Sequence, residues 1–132
     1  MYLLDTDIVI YSLKGHEIVK NHLRDHLQDA IYLSAVTLME LYYGAYKSQK
    51  IESNLAKVKS LENAIEIIPV NQVMVEIFGL LKSRMENIGS RLDDFDLILA
   101  ATAMSHNLIL VTNNEKHFAR IDGLKIENWS KA

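Results

Sequence analysis

Short runs rich in Ile, Leu and Val alternate with stretches of helical periodicity along the chain, and that alternation leaves few folds open to it. The runs are Tyr2–Leu4, Ala30–Ser34, Ile65–Val70, Leu108–Thr112 and, as an edge strand, Lys125–Asn128. Their composition is that of parallel strands buried on both faces. Between them, Glu17–Leu27, Thr37–Ser48, Ile51–Leu61, Gln72–Asn87 and Asp94–Ser105 read as helices. Strands alternating with helices imply an α/β fold, a parallel sheet covered on both faces.

Local signals support the boundaries. In Gln72–Asn87 the apolar residues Val73, Ile77, Leu80, Leu81 and Met85 recur at spacings of three and four, which predicts one buried stripe. Asn71 stands where an N-cap would, and Gly89 lies just past the helix end. The single proline, Pro69, falls at the end of the third run, where a missing N–H does least harm.

Composition removes several function classes. The 132 residues, 49% hydrophobic and 23% charged, suit one globular domain spanning 1–132. The absence of cysteine excludes disulfides, thiolate nucleophiles and Cys-ligated zinc. No apolar stretch approaches the roughly 20 residues of a membrane helix, and Asp5 and Asp7 interrupt the N-terminal apolar run before a signal segment could form. A cytoplasmic protein is expected. The net charge of −3 argues against a broad nucleic-acid-binding surface but not against a local one, because an active site that concentrates carboxylates is acidic by itself.

The acids fall at informative places. Asp5 ends the first strand, and ligands of open α/β sheets bind beyond the carboxyl ends of the strands. Glu40 lies in the first turns of the helix after the second strand, Asp96 opens Asp94–Ser105, and Asn114 follows the fourth strand. All four then occupy one edge of the sheet. Each also has a structural reading: Asp5 and Asp7 as helix caps, Asp96 as a first-turn residue favoured by the helix dipole, Asn114 as a turn residue. Asp93 and Asp94 read as cap and solvent residues. Glu40 stands apart, since Val36, Leu38, Met39 and Leu41 surround it with apolar company.

Taken as blocks, these segments resemble PIN-domain ribonucleases, specifically the VapC toxins of bacterial and archaeal toxin–antitoxin pairs. Leu4-Asp5-Thr6-Asp7-Ile8 resembles the family's LDTN-I opening, and Ser34–Leu41 its S-x-x-T-x-x-E-L. Asp96–Ala103 is similar to D-x-x-IAA-x-A, with Leu99 in place of Ile. Leu110–Asn114 with Phe118, then Gly123-Leu124 and Glu127-Asn128-Trp129, resemble the closing LVT-x-N-x-x-x-F and GL-x-x-ENW. The blocks span nearly the whole chain in the family's order.

The resemblance implies a PIN-like three-layer α/β/α sandwich around a mainly parallel sheet of four to five strands. It also implies a Mg²⁺- or Mn²⁺-dependent endoribonuclease with Asp5, Glu40 and Asp96 as its acids and Asn114 at the fourth position. The chemistry agrees: phosphodiester cleavage needs a nucleophile at neutral pH and relief of developing charge, which a divalent cation supplies, and Mg²⁺ prefers carboxylates with an open face. Asp5 and Asp96 are expected as direct ligands and Glu40 as a ligand or a water-mediated partner. Asn114 would orient a water of the ion's shell, supported by the Thr112 hydroxyl. Asp7 departs from the family's Asn: it adds a ligand, accepts a hydrogen bond behind the ligands, or caps the following helix, the last two being favoured. Expected partners are RNA, a VapB-like antitoxin whose C-terminal segment enters the active-site groove, and a second copy of the chain.

Two rival readings come from other classes. Asp5-Thr6-Asp7-Ile8-Val9 also satisfies the D-x-D-x-[TV] opening of haloacid-dehalogenase-like phosphatases, with Asp5 as nucleophile, although that match is five residues long. A catalytically silent PIN-fold binding module is the other, but such a module would be expected to lose acids. His22 and His26 share a helix face yet lack the glutamate of H-E-x-x-H, and read as surface or partly packed residues. Tyr42, Tyr43 and Tyr46 read as core plus interface, and a contiguous exposed patch of Tyr43, Tyr46, Leu55 and Val58 would mark a dimer face. Of the scattered cations Lys14, Lys47, Lys50, Arg84, Arg91 and Lys116, a few near the site would suffice to hold phosphates.

Overall fold

In the computed structural model, which describes residues 1–132, the five strands form one all-parallel sheet. They are β1 (Tyr2–Leu4), β2 (Ile31–Ser34), β3 (Glu66–Ile68), β4 (Ile109–Val111) and β5 (Ile126–Glu127), in the spatial order β3-β2-β1-β4-β5. Seven helices connect them: α1 (Thr6–Leu13), α2 (Glu17–Asp25), α3 (Ala35–Lys47), α4 (Ile51–Ala64), α5 (Gln72–Asn87), α6 (Asp94–Ser105) and α7 (Glu115–Phe118). No helix is long and apolar enough to cross a membrane. The expected α/β sandwich is present, and its sheet is parallel throughout rather than mainly.

The period-2 alternation of the central strands builds the two cores. Leu3 and Leu110 point into the layer of α5 and α6, together with Leu81, Met85, Leu97 and Phe118. Leu4 and Val111 point the other way, into the layer of α1 to α4, with Ile8, Val19, Leu41 and Trp129. Helix α6 is apolar nearly all round, and Leu97, Leu99, Ala100, Ala101 and Ala103 are all buried. Such a helix must be enclosed, and its alanines let it lie close to both α5 and the sheet.

The strand order determines where the site forms. From β1 the chain moves outward to β2 and β3, then returns through α5 and α6 to β4 on the other side of β1. The crevice of a doubly wound sheet opens at this reversal, beyond the carboxyl ends of β1 and β4.

Several expectations need correction. Helix α1 is absent from the five helical segments read from the sequence; it begins immediately at Asp5, whose carboxylate accepts from the Thr6 amide and serves as its N-cap. Asp7 therefore lies in the first turn and does not cap. The buried stripe of α5 runs through Met74, Leu81 and Met85, with Ile77 and Phe78 partly buried, whereas Val73 and Leu80 are exposed. Apolar residues cover so wide an arc of this helix that two phases satisfy the spacing, and the sheet selects the one centred on Met74 and Leu81. Asn71 caps α5 by accepting from the Met74 amide, and Gly89 follows with φ of 69°, as expected. The supposed dimer patch dissolves: Val58 is buried and Leu55 packs against the same core, which leaves Tyr43 and Tyr46 exposed. Tyr42 is partly buried and hydrogen-bonds Glu62. His22 and His26 are partly packed, stacking on Trp129 with ring centroids 5.8 and 4.4 Å away.

Candidate active site

Asp5 is the hub. It follows β1 directly, is only 6% exposed, and uses both carboxylate oxygens: Oδ1 accepts from the Thr6 amide at 2.7 Å and Oδ2 from the Thr112 hydroxyl at 2.8 Å. Thr112 is the first residue past β4 and is fully buried; its hydroxyl in turn accepts from the Asn114 amide at 2.9 Å. Two strand tips are thus joined through one hydroxyl, which explains why Thr rather than Val stands after the apolar Ile109–Val111 run. Burial pushes the Asp5 carboxyl up to about 7, and the nearby Asp7 and Asp96 charges push the same way against the two hydrogen bonds.

Glu40 is delivered by α3. Ser34, buried at the end of β2, caps this helix by accepting from the Val36 amide at 3.1 Å, and Glu40 follows in the second turn. Glu40 Oε1 accepts from the Thr6 hydroxyl at 2.7 Å, and the buried Thr37 hydroxyl lies 3.4 Å from that of Thr6. Thr6 and Thr37 were not among the residues expected in the site. The only signal for them was position: Thr6 stands beside Asp5, and Thr37 is one helical turn before Glu40.

Asp96 comes from the first turn of α6, beside the N-cap Asp93. Burial raises its carboxyl above the ordinary range, reinforced by the Asp93 and Glu40 charges and opposed by His117, whose Nδ1 is 3.6 Å from Asp96 Oδ2. His117 was likewise not anticipated; it lies three residues past Asn114, in short helix α7. Asp94 instead pairs with Lys82 at 3.1 Å, as a solvent residue would. Asp7 accepts from the Ile8 amide at 2.8 Å, and burial lifts its carboxyl too, against the pull of nearby amides. Asn114 arrives at the same edge, but the bond it makes is through its backbone amide, and its side chain is exposed.

The structure therefore brings Asp5, Asp7, Glu40 and Asp96 into one group: Asp7 and Asp96 raise the carboxyl of Asp5, Asp96 that of Asp7, and Glu40 that of Asp96. No lysine or arginine pairs with any of them. They do not form a closed cage of three ligands around one point, so the arrangement is an open cluster. Its donors are all hard oxygens, the set that suits Mg²⁺, Mn²⁺ or Ca²⁺ rather than a soft metal. A nucleophilic role for Asp5 is poorly served, because both of its oxygens are engaged and no cation stands beside it.

The family model described as "PIN domain" matches residues 2–124. The chain belongs to the PIN-domain family. Within that family its relatives include the "tRNA(fMet)-specific endonuclease VapC" of Shigella flexneri, 35% identical over 98% of both chains. The "Ribonuclease VapC2" of Rickettsia felis is 36% identical over 99% of both. Among solved structures, VapBC2 from Rickettsia felis bound to a DNA fragment from its promoter superposes with a TM-score of 0.91, at 35% identity, covering 97% of this chain and 98% of that one. In this PIN domain the acids identified above lie within the matched region, at the sheet edge where the strand order reverses.

Proposed function

We infer that this protein is a VapC-type toxin, an endoribonuclease of a toxin–antitoxin pair, working as a single PIN domain over 1–132. The observation that carries the chemistry is the buried Asp5, both of whose oxygens are held where the tips of β1 and β4 meet, with Asp7 and Asp96 near it and no lysine or arginine paired with any of them. Four carboxylates without a cation among them repel, and a divalent ion is what makes such a group stable in its ionised form.

Asp5 and Asp96 would hold the ion, Mg²⁺ or Mn²⁺, with Glu40 as a further ligand or a partner through water. When bound, the ion supplies an activated water and neutralises charge on the phosphate. The chain's own residues do the rest. Glu40, fixed through Oε1 by Thr6, keeps Oε2 to accept the proton of the attacking water. Thr112 fixes Asp5, and the exposed side chain of Asn114 would orient a water of the ion's shell. The new P–O bond forms to that water as the bond to the leaving RNA oxygen breaks. Asp7 acts behind the ligands by keeping the group acidic, and His117 positions Asp96.

The partners follow from the relatives. Solved VapBC structures pair a toxin of this fold with an antitoxin, and this chain assembles in the same way with a VapB-type protein. The Shigella flexneri relative's name makes tRNA(fMet) the first RNA to try. The reading is tested by inducing the chain in cells and mapping new RNA ends across total RNA. Expected are discrete new ends and growth arrest, both cancelled by co-expressing a cognate VapB-type antitoxin. Unchanged RNA with normal protein accumulation would contradict it.

A further inference from the structure

A cleft of about 370 Å³ opens between α1, α3 and α4, and Glu40 forms part of its wall. Ile10, Leu13, Leu41, Ala45 and Val58 make up its apolar lining. Lys14 and Lys57 also line it, and neither is in an ion pair. Ser48 and Asn54 join across it, Asn54 Nδ2 donating to Ser48 Oγ at 2.8 Å.

Gly44 is the telling residue. It sits in the interior of α3, where glycine is less favourable to a helix than alanine. A Cβ added there would meet no atom within 4 Å, and its φ is not positive. Neither backbone conformation nor packing in this chain calls for glycine at 44. The open space it leaves is part of the cleft.

We propose that this cleft is a nucleotide subsite, receiving the base of an unpaired nucleotide adjacent to the phosphate that is cut. The inference rests on the ribonuclease reading above. Because Glu40 lines it, the cleft adjoins the acid group. Its charge favours RNA over a peptide: two unpaired lysines beside an apolar slot suit a base flanked by phosphates, which together supply apolar faces and negative charge. Asn54 Oδ1 has no partner in the chain and offers an acceptor to a base edge. Lys14 and Lys57 are phosphate contacts, and Gly44 is the residue that keeps the slot open.

The test pairs a protein change with an RNA change on the full chain. Gly44→Leu fills the slot, and an abasic nucleotide placed on either side of the mapped cleavage position removes the base. The substrate is a short single-stranded RNA carrying that position. For Gly44→Leu, KM is expected to rise about tenfold with kcat within about twofold, the pattern of lost uniform binding. At one of the two flanking positions the abasic RNA should show the same loss with the wild type and no further loss with Gly44→Leu. Gly44→Ala, which intrudes on the slot by one carbon, should raise KM by less than Gly44→Leu while melting slightly higher. Lys14→Gln and Lys57→Gln should each raise KM and flatten its salt dependence, by a slope of about 0.7 per phosphate contact on single strands. If wild type cleaves the RNA but Gly44→Leu cleaves it equally well, or if the two losses simply add, the subsite is wrong and the ribonuclease reading stands. If Gly44→Leu changes only inhibition by the antitoxin, the cleft belongs to a protein segment and the proposal is overturned. A wild-type chain that cleaves no RNA overturns both.

Discussion

The Thr112 hydroxyl donates to Asp5 Oδ2 at 2.8 Å, joining the tips of β4 and β1 across 107 positions of sequence. Because that hydroxyl also accepts from the Asn114 amide, one side chain fixes the hub carboxylate and the turn that carries Asn114. Thr112→Val keeps the shape and removes the hydroxyl, leaving a buried carboxylate oxygen unsatisfied. Such a loss costs about 1–3 kcal/mol. Thermal unfolding should show that drop, with RNA cleavage reduced about tenfold or more, and Thr112→Ser should restore both.

Asp5 makes the metal-free protein sensitive to pH in a direction that can be worked out. Its folded carboxyl titrates near 7, above the ordinary value of 3.8, so between those limits the folded state holds a proton that the unfolded state has released. Its contribution is therefore fully present below about pH 4 and is lost as pH rises through 7, by at most on the order of 4 kcal/mol. The raised carboxyls of Asp7 and Asp96 act in the same sense. Asp5→Asn removes the titration and keeps an acceptor for the Thr6 amide. In chelator, the variant's melting temperature should exceed the wild type's by more at pH 8 than at pH 5. Addition of Mn²⁺ at pH 8 should close that gap by stabilising the wild type alone.

The bond from Thr6 to Glu40 gives a separable prediction. At 2.7 Å it fixes one oxygen of Glu40, the carboxylate we propose accepts the water's proton. Thr6→Val should lower kcat about tenfold, near 1.4 kcal/mol of barrier, with KM within twofold, whereas Thr6→Ser should keep most of the rate. Rates on one defined RNA, normalised to the folded fraction read from thermal unfolding, separate this from a folding defect, which would lower kcat only by lowering the active fraction.

His117 tunes Asp96 without belonging to the acid group. Its imidazole lies 3.6 Å from Asp96 and opposes the rise of that carboxyl. His117→Ala should weaken activating Mg²⁺, raising the concentration needed for half-maximal cleavage several-fold, while the rate at saturating Mg²⁺ stays within about threefold. A metal titration of cleavage rate reads both.

Much of this was legible before the structure because the signals were local. Strand composition, the cap at Asn71 and the enclosed apolar run of α6 each follow from a few neighbouring residues. Placement of Asp5, Glu40, Asp96 and Asn114 at one edge then followed from the parallel topology. The parts that escaped were of two kinds. Helix α1 is eight residues long and continues an apolar run already assigned to β1, so periodicity had little room to declare it; α5 carries enough apolar residues to fit two phases. The side-chain links Thr6–Glu40 and His117–Asp96 depend on where separate elements meet, and no spacing along the chain encodes that.

The central claim is that these acids cut RNA through a bound divalent ion. The direct measurement is cleavage of an end-labelled RNA, tRNA(fMet) first, by purified protein with chelator, with Mg²⁺ and with Mn²⁺, beside Asp5→Asn and Asp96→Asn purified in parallel. The account predicts cuts at fixed positions by the wild type with either ion, none in chelator, and at least a hundredfold loss in both variants although each unfolds cooperatively and no earlier than the wild type in chelator. Cleavage that persists in chelator, or that both variants retain, would contradict it.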